Sequence, residues 1–410
     1  MDPNGRLDVQ PWMSDPRTRR VLDALAHDGI VARFVGGCVR DALRGLAVGD
    51  VDLAIDRPPD DAARALTRAR LKVIPTGIKH GTITAVSGGR PYEITTLRRD
   101  VETDGRHAVV AFTDDWRADA ARRDFTINAM FCDSAGSLWD FFDGRTDLAA
   151  GCVRFVGDPA IRIDEDVLRI LRFFRFHAWY GRPPFDAAGL AACRDAADRL
   201  RNLSAERVRK ELLKLLEATD PAATVEAMAA IGLFGHWLPE YGGVDLLHRV
   251  VANERAVSAP ADGLRRLSAI IGAAGDATVI GKRLRLSTQE SLRLTVMLAA
   301  EPVIDVARGP AVVRRQIYHL GTALYIDRLM RRAEAHDAGW LEAYRLAMTW
   351  TPPELPISGG DVLKAGLPAG RRVGGLVAAI EGWWIDHDFA PDRAACLAEL
   401  RRRIDLGGGA

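Results

Sequence analysis

The residues with clearest chemical potential are Gly36-Gly37-Cys38-Val39-Arg40-Asp41, followed nine positions later by Asp50-Val51-Asp52-Leu53. The glycine pair opens an expected short helix over 39–44, and the D-x-D lies on an expected strand over 51–55. Strand side chains alternate with period two, so Asp50 and Asp52 are expected on one face. Two carboxylates beside a glycine-rich turn suit a divalent metal carrying a triphosphate. Backbone N–H groups from Gly37 onward can hold phosphate oxygens, and Arg40 can pair with them. Glu93, in Tyr92-Glu93-Ile94-Thr95, is the candidate third carboxylate: an acid within an apolar, β-branched strand, where an unpaired charge is costly. This set fits in-line attack on an α-phosphate, which needs metal ions more than covalent help from protein. A D-x-D by itself also fits a solvated strand end, and Glu93 also fits a structural partner for an arginine.

Two further blocks carry charge in a pattern. Asp119-Ala120-Ala121-Arg122-Arg123-Asp124-Phe125-Thr126-Ile127-Asn128-Ala129 reads either as a salt-bridged surface or as a polar wall. In Glu165-Asp166-Val167-Leu168-Arg169-Ile170-Leu171-Arg172-Phe173-Phe174-Arg175-Phe176, apolar residues point nearly all round an expected helix over 167–180. Asp166, Arg169, Arg172 and Arg175 then need partners, as a buried ion-pair ladder or as a ligand-reading edge. The second reading has definite chemistry. Cytosine and adenine both present an amino donor beside an unprotonated ring nitrogen. A carboxylate with an arginine one helical turn away accepts from the first and donates to the second. Uracil and guanine invert that edge and would leave buried polar groups unpaired.

The elements that must position these residues change in kind along the chain. Helices are expected over 18–27, 60–70 and 119–130, and strands over 31–35, 71–74, 82–86, 92–97 and within 131–142. The polar stretch 98–107 is expected to be a mobile loop. From about 156 onward, alanine-, leucine- and arginine-rich helices are expected throughout, including 205–218. Strands first and helices afterwards give an α+β head joined to an all-α remainder.

A chain of 410 residues exceeds one ordinary core. Its 48% hydrophobic and 27% charged residues describe a globular protein. No apolar run approaches the ~18 residues of a membrane span, and the polar N-terminus has no signal-peptide core, so no membrane association is expected. Five scattered cysteines argue against a disulfide framework or zinc site and fit a reducing cytoplasm. A net charge of +1 means that any nucleic-acid contact is a local basic patch. Basic clusters at 207–214, 282–285, 328–332 and 401–403 read either as wet helix faces or as a track for an RNA backbone.

Residues 36–53 match Gly-Gly-x-Val-Arg-Asp-x-Leu-x-Gly…Asp-x-Asp-Leu throughout. On this motif the chain resembles class II members of the tRNA nucleotidyltransferase/poly(A) polymerase family, within the polymerase-β-like nucleotidyltransferase superfamily. The resemblance implies a small mixed sheet with helices as the head, then an all-α neck, body and tail. It implies that Asp50 and Asp52 bind catalytic Mg2+. The Arg-Arg-Asp-Phe-Thr-x-Asn-Ala run implies a triphosphate contact for Arg123 and a ribose acceptor in Asp124. The Glu-Asp-x-x-Arg run implies that Asp166 and Arg169 select the base, with Arg172 and Arg175 as nucleotide contacts. Lys79–Thr84 and Glu93–Arg98 resemble head strands, and Asp140-Phe141-Phe142-Asp143-Gly144 resembles a short hinge element. Ser204–Val208 resembles the helix that props up the neck.

The expected organisation is a loose tail (1–14), head (15–155), neck (156–218), a probable tRNA-binding body (219–350) and a C-terminal tail (351–410) whose last four residues fray. The implied reaction adds CCA to tRNA 3′ ends from CTP and ATP, without a nucleic-acid template. Poly(A) synthesis, partial CC or A addition, and a non-catalytic RNA-binding protein are the alternatives. Trp383-Trp384 is expected to be packing and His387-Asp388 to be surface.

Overall fold

The computed structural model describes residues 2–78, 81–104, 107–332 and 338–407. The chain divides into two compact units, 1–239 with 283–285, and 240–282 with 286–410. Head, neck and the first twenty or so residues expected of the body thus share one unit.

The strands β1 (Gly5–Arg6), β2 (Ala32–Val35), β3 (Asp52–Ile55), β4 (Lys72–Gly77), β5 (Thr82–Ser87), β6 (Arg90–Thr96), β7 (Arg98–Asp104), β8 (His107–Phe112), β9 (Met130–Cys132) and β10 (Ser137–Asp140) all lie in the first unit. Among the described residues, eight of them form one sheet in the order β1-β10-β9-β2-β3-β6-β5-β4. The β3–β6 pairing is parallel and the others are antiparallel. Helices α1 (Pro11–Ser14), α2 (Pro16–His27), α3 (Gly37–Leu43), α4 (Pro59–Arg68), α5 (Trp116–Ala121) and α6 (Gly144–Ala150) accompany the sheet. Apolar residues of both sheet and helices, including Leu53, Ile55, Ile94, Leu25 and Leu66, are fully buried. This α+β head is the architecture expected.

Residues 2–14 are not a loose tail. β1 pairs with β10, Met13 is fully buried, and the Trp12 ring stands edge-on to Phe34 at 4.7 Å. The Asn4 side chain clasps the backbone of Asp140, donating to its carbonyl at 2.6 Å and accepting from its N–H at 2.9 Å. A two-residue strand has no readable alternation, which hides it in the sequence.

The stretch 98–107 also differs from expectation. It enters a hairpin, β7 against β8, which pairs with no other strand among the described residues. A register shift between Asp100 and Glu102 interrupts strict alternation, so its sequence reads as loop. The helix expected over 119–130 is interrupted: α5 ends at Ala121, and a 3-10 turn spans Thr126–Asn128 before β9.

Continuing in the first unit are α7 (Pro159–Glu165), α8 (Arg169–Tyr180), α9 (Ala187–Asp195), α10 (Ala205–Leu216), α11 (Ala222–Ala230) and α12 (Phe234–Trp237). The helix expected from 167 begins at Arg169. Asp166 has extended backbone (φ −154°, ψ 106°) and separates α7 from α8. The aromatic rings of Phe125, Phe155, Phe173 and Phe176 pack together, fixing α8 to the polypeptide that precedes the 3-10 turn.

The second unit is helical among its described residues. Its elements are α13 (Asp245–Ala256), α14 (Gly263–Ala269), α15 (Ala277–Arg283, ending in the first unit), α16 (Thr288–Leu298), α17 (Pro310–Leu320), α18 (Thr322–Arg331), α19 (Ala338–Thr349), α20 (Gly359–Lys364), α21 (Arg371–Asp386) and α22 (Arg393–Gly407). One core gathers Ile317, Tyr325, Leu329 and Trp340, and another gathers Val362, Ile380, Trp384 and Leu400. Trp384 is buried packing, as expected, and Asp388 is held by Arg314 (Nε–Oδ1 2.8 Å). Of the four residues expected to fray, Gly407 is the last of α22 and 408–410 lie outside the described residues.

Candidate active site

A cavity of about 330 Å³ opens where β2, β3, β5 and β6 meet the polar block 122–128 and α8. Its acidic side is Asp52 and Glu93, its basic side Arg98, Arg122, Arg123 and Arg172, with Gly36, Gly37, Arg40, Asp124 and Asn128 between.

The acidic side follows from strand register. In the parallel β3–β6 pair, Asp52 lies directly opposite Glu93, so both side chains leave the same face. Burial, then the Glu93 and Asp50 charges, push the Asp52 carboxyl up to about 6, while Arg123 works in the opposite direction. Asp50 precedes the strand and is exposed, so electrostatic proximity, not strand alternation, associates it with Asp52. Glu93 is exposed as well, which removes the burial cost expected for it. Repelling carboxylates with too little compensating positive charge, built from hard oxygen donors, fit a divalent cation. Among the described residues no three His, Cys, Asp or Glu side chains form a ready cluster. One or two carboxylates completed by phosphate and water is the pattern such a cation commonly accepts.

The basic side is made rigid from behind. Asp119, 1% exposed, accepts from Arg122 Nε at 2.8 Å and Arg123 Nη2 at 2.9 Å. Burial works to raise the Asp119 pKa, but these two guanidinium groups hold it below the ordinary value. On β2, Arg33 lies over the rings of Trp116 and Trp139 at 4.1 and 3.5 Å, pinning α5 to the sheet.

Asp124 and Asn128 form the hinge of the polar network. Asp124 accepts from Arg172 Nε at 2.8 Å, Asn128 Nδ2 at 3.0 Å and the Phe125 N–H at 2.9 Å. Burial would raise its pKa; Arg172 and these hydrogen bonds keep it low, and therefore an ionised acceptor. Asn128 Oδ1 in turn accepts from Arg40 Nη1 at 2.7 Å. Arg40 is 7% exposed, paired with Asp41 (Nε–Oδ1 2.9 Å) and stacked over Tyr180 at 4.1 Å. Its guanidinium braces the cavity wall, and Arg40 also lines the cavity where phosphate pairing was expected of it.

In the block 165–175, Glu165 and Arg169 pair within the block, whereas Asp166, Arg172 and Arg175 find their partners outside it. Arg169 pairs with Glu165 and donates to the carbonyls of Arg162 (2.8 Å) and Arg122 (3.2 Å). Asp166 accepts from Arg207 Nη2 at 2.7 Å, and Arg175 Nε bonds Glu211 Oε2 at 2.5 Å. Gly37, Arg40, Asp52, Glu93, Arg123, Asp124 and Arg172 thus line the cavity together, whereas Asp50, Asp166, Arg169 and Arg175 are not among its lining. Sequence reasoning missed Arg98, Arg122, Asn128 and Glu211. Asn128 stood inside the quoted motif, and Glu211 lies one helical turn after Arg207.

Several basic clusters are structural. Arg328 is buried and donates to the carbonyls of Glu301 and Ala300 (2.8 and 3.1 Å); Arg331 donates to Ser268 Oγ at 2.6 Å. Arg402 and Arg403 both pair with Glu399.

Fold and cavity define a polymerase-β-like nucleotidyltransferase head followed by helices. Residues 32–154 match the model of the poly A polymerase head domain, and 185–242 that of a probable RNA and SrmB-binding site of polymerase A. The mitochondrial CCA tRNA nucleotidyltransferase 1 of Mus musculus is 32% identical over 94% of this chain and 89% of its own length. The CCA-adding enzyme of Levilactobacillus brevis is 31% identical over 93% and 96%. The crystal structure of the Bacillus stearothermophilus CCA-adding enzyme in complex with CTP superposes with a TM-score of 0.79, at 26% identity, over 96% of this chain and 99% of that one. The chain belongs to the class II tRNA nucleotidyltransferase/poly(A) polymerase family, among its CCA-adding enzymes. Among the described residues no helix is long and apolar enough to cross a membrane.

Proposed function

We propose that this protein completes tRNA 3′ ends with CCA, taking nucleotides from CTP and ATP and releasing pyrophosphate. The observation that carries this reading is a single cavity in which Asp52 and Glu93 face Arg122, Arg123 and Asp124, in a chain aligned over 94% of its length with a CCA tRNA nucleotidyltransferase.

Magnesium, held by Asp50 and Asp52 with Glu93 as the third carboxylate, would activate the attacking tRNA 3′-hydroxyl and neutralise the leaving pyrophosphate. The protein's own groups do the remaining work. Arg123, braced by Asp119, presents a fixed cation to the triphosphate, and Gly37 leaves the backbone open to its approach. Asp124, kept ionised by Arg172, accepts from ribose hydroxyls and favours ribonucleotides. Asp166 offers an acceptor, and Arg169 a donor, to the edge shared by cytosine and adenine, with Arg172 and Arg175 completing the nucleotide contacts. The carboxylates and arginines have to meet the nucleotide in a fixed geometry, and the Arg40–Asn128–Asp124 chain supplies that rigidity.

The cytoplasm is the proposed compartment, supported by five cysteines that are all unpaired. A mitochondrial location, as in the name of the mouse relative, is the alternative that fractionation decides.

The experiment is direct. Purified protein with Mg2+ and each single nucleoside triphosphate is given tRNAs ending before CCA, CA and A. CTP alone should add two residues to the first, and ATP alone one residue to the last. Long adenylate tails on unrelated RNA would replace this reading with poly(A) synthesis. Addition of CC or A alone would narrow it to a partial enzyme.

A further inference from the structure

Asp166 is poorly placed to hold itself still. It sits in extended backbone between α7 and α8, where its carbonyl accepts from the Arg169 N–H at 3.0 Å. Within its own segment, Oδ1 accepts from the Leu168 N–H at 3.1 Å. The second hold comes from another element: Arg207, at the third position of α10, donates Nη2 to Asp166 Oδ2 at 2.7 Å. One turn later on α10, Glu211 is buried and bonds Arg175, with its other oxygen 3.8 Å from Arg172. Residues i and i+4 share a helix face, so α10 presents a cation to the acceptor Asp166 and an anion to the donors Arg172 and Arg175.

We propose that Arg207 is a positioning residue for nucleotide selection: by occupying one lone pair of Asp166 Oδ2, it fixes the direction in which the carboxylate accepts from an incoming base. This inference rests on the reading of Asp166 as a base contact. With both oxygens anchored, the remaining lone pairs point in one direction and a base must bring a donor to them. Cytosine and adenine bring an amino group; uracil and guanine bring a carbonyl oxygen, which repels the fixed carboxylate. Remove Arg207 and Asp166 keeps only the Leu168 N–H. The side chain can then turn aside for the wrong base and is no longer pre-aimed at the right one. Arg207 itself need not touch the nucleotide, because its effect passes through Asp166.

The test compares Arg207→Ala, Arg207→Lys and Asp166→Ala with the parent protein on tRNA lacking CCA, measuring kcat and KM for CTP and for UTP. Arg207→Ala should raise the relative kcat/KM for UTP over CTP about ten-fold or more, with a rise in KM for CTP exceeding the fall in kcat. Arg207→Lys should restore most of the discrimination, since an ammonium can still hold the carboxylate. Thermal melting identifies a variant damaged in folding, and in that case Arg207→Lys carries the comparison. Equal losses with CTP and UTP in Arg207→Ala, at an unchanged ratio, would overturn the proposal. Unchanged discrimination in Asp166→Ala would instead remove Asp166 from base recognition, and this inference with it. Discrimination lost in Asp166→Ala but intact in Arg207→Ala would leave the base contact standing and reject Arg207 alone.

Discussion

The acidic side of the cavity in the first unit and a buried network in the second treat charge in opposite ways. In the second, Glu254 takes Arg265 on one oxygen (2.7 Å) and Arg266 on the other (2.8 Å). Asp327 takes Arg265 Nε and Arg293, and Arg293 continues to Asp262 at 2.8 Å. Every carboxylate there faces a guanidinium, and Glu254 and Asp327 are both 1% exposed. In the first unit, burial and then the Glu93 and Asp50 charges raise the Asp52 pKa to about 6. A balanced network holds structure; an unbalanced one is waiting for a ligand that supplies the missing charge. The comparison separates function from stability more sharply than burial does, since both networks are at least partly buried.

The largest effect should come from breaking the unbalanced side. Asp52→Ala should reduce nucleotide incorporation about 10⁴-fold, ~5.5 kcal/mol of barrier, in single-turnover assays with Mg2+. Its melting temperature should not fall. An activity loss accompanied by unfolding would make Asp52 a structural residue and end the contrast.

Breaking the balanced side should do the reverse. Glu254→Gln removes the carboxylate shared by Arg265 and Arg266, and loss of one member of a buried ion network costs about 3–5 kcal/mol. Chemical denaturation should record that loss in the unfolding of the second unit. A change under 1 kcal/mol would mean that the network is not what holds α13 to α14.

Asp52 also gives a stability signature with its own sign. A carboxylate whose folded pKa is raised to about 6 binds a proton more tightly folded than unfolded. Ionising it therefore costs stability: the penalty is full above about pH 6 and disappears as pH falls through the ordinary carboxylate value near 3.8. Without divalent metal, Asp52→Asn should be more stable than the parent at pH 7 by about 3 kcal/mol, and indistinguishable from it at about pH 3. Millimolar Mg2+ should close the gap at pH 7 by stabilising the parent only. Melting curves across pH, with and without metal, check both parts. A gap that grows on acidification would reverse the assigned electrostatics.

What the sequence made legible follows the same division. Asp52, Arg123 and Asp124 were readable because their chemistry is concentrated within short runs that local structure keeps together. The Asp52–Glu93 pairing spans about forty residues and depends on parallel register, which no local pattern encodes. Asp166 and Arg169 were expected to act as neighbours on one helix. The break at Asp166 sends them to different partners: Asp166 to Arg207, and Arg169 to Glu165 and the carbonyls of Arg162 and Arg122; only the fold discloses Arg207. β1 escaped because two residues show no alternation, and the β7–β8 hairpin because a register shift between Asp100 and Glu102 interrupts it. The buried network of the second unit was invisible for a similar reason: its arginines come from α14 and α16, and nothing in either run distinguishes them from solvated ones.

The smallest effect provides the control that gives the others meaning. Arg315 and Asp386 form an ion pair between α17 and α21 at 2.5 Å, as short as the bonds of the buried network, yet their side chains are 46% and 65% exposed. Water already solvates both charges, so pairing gains little Coulomb energy and restricts two side chains. Arg315→Ala should change stability by no more than about 0.5 kcal/mol, and any change should vanish in high salt. If denaturation instead found a loss comparable to that of Glu254→Gln, distance and not burial would govern the value of an ion pair here. The balanced network would then be no more structural than its surface, and charge imbalance alone could no longer distinguish Asp52.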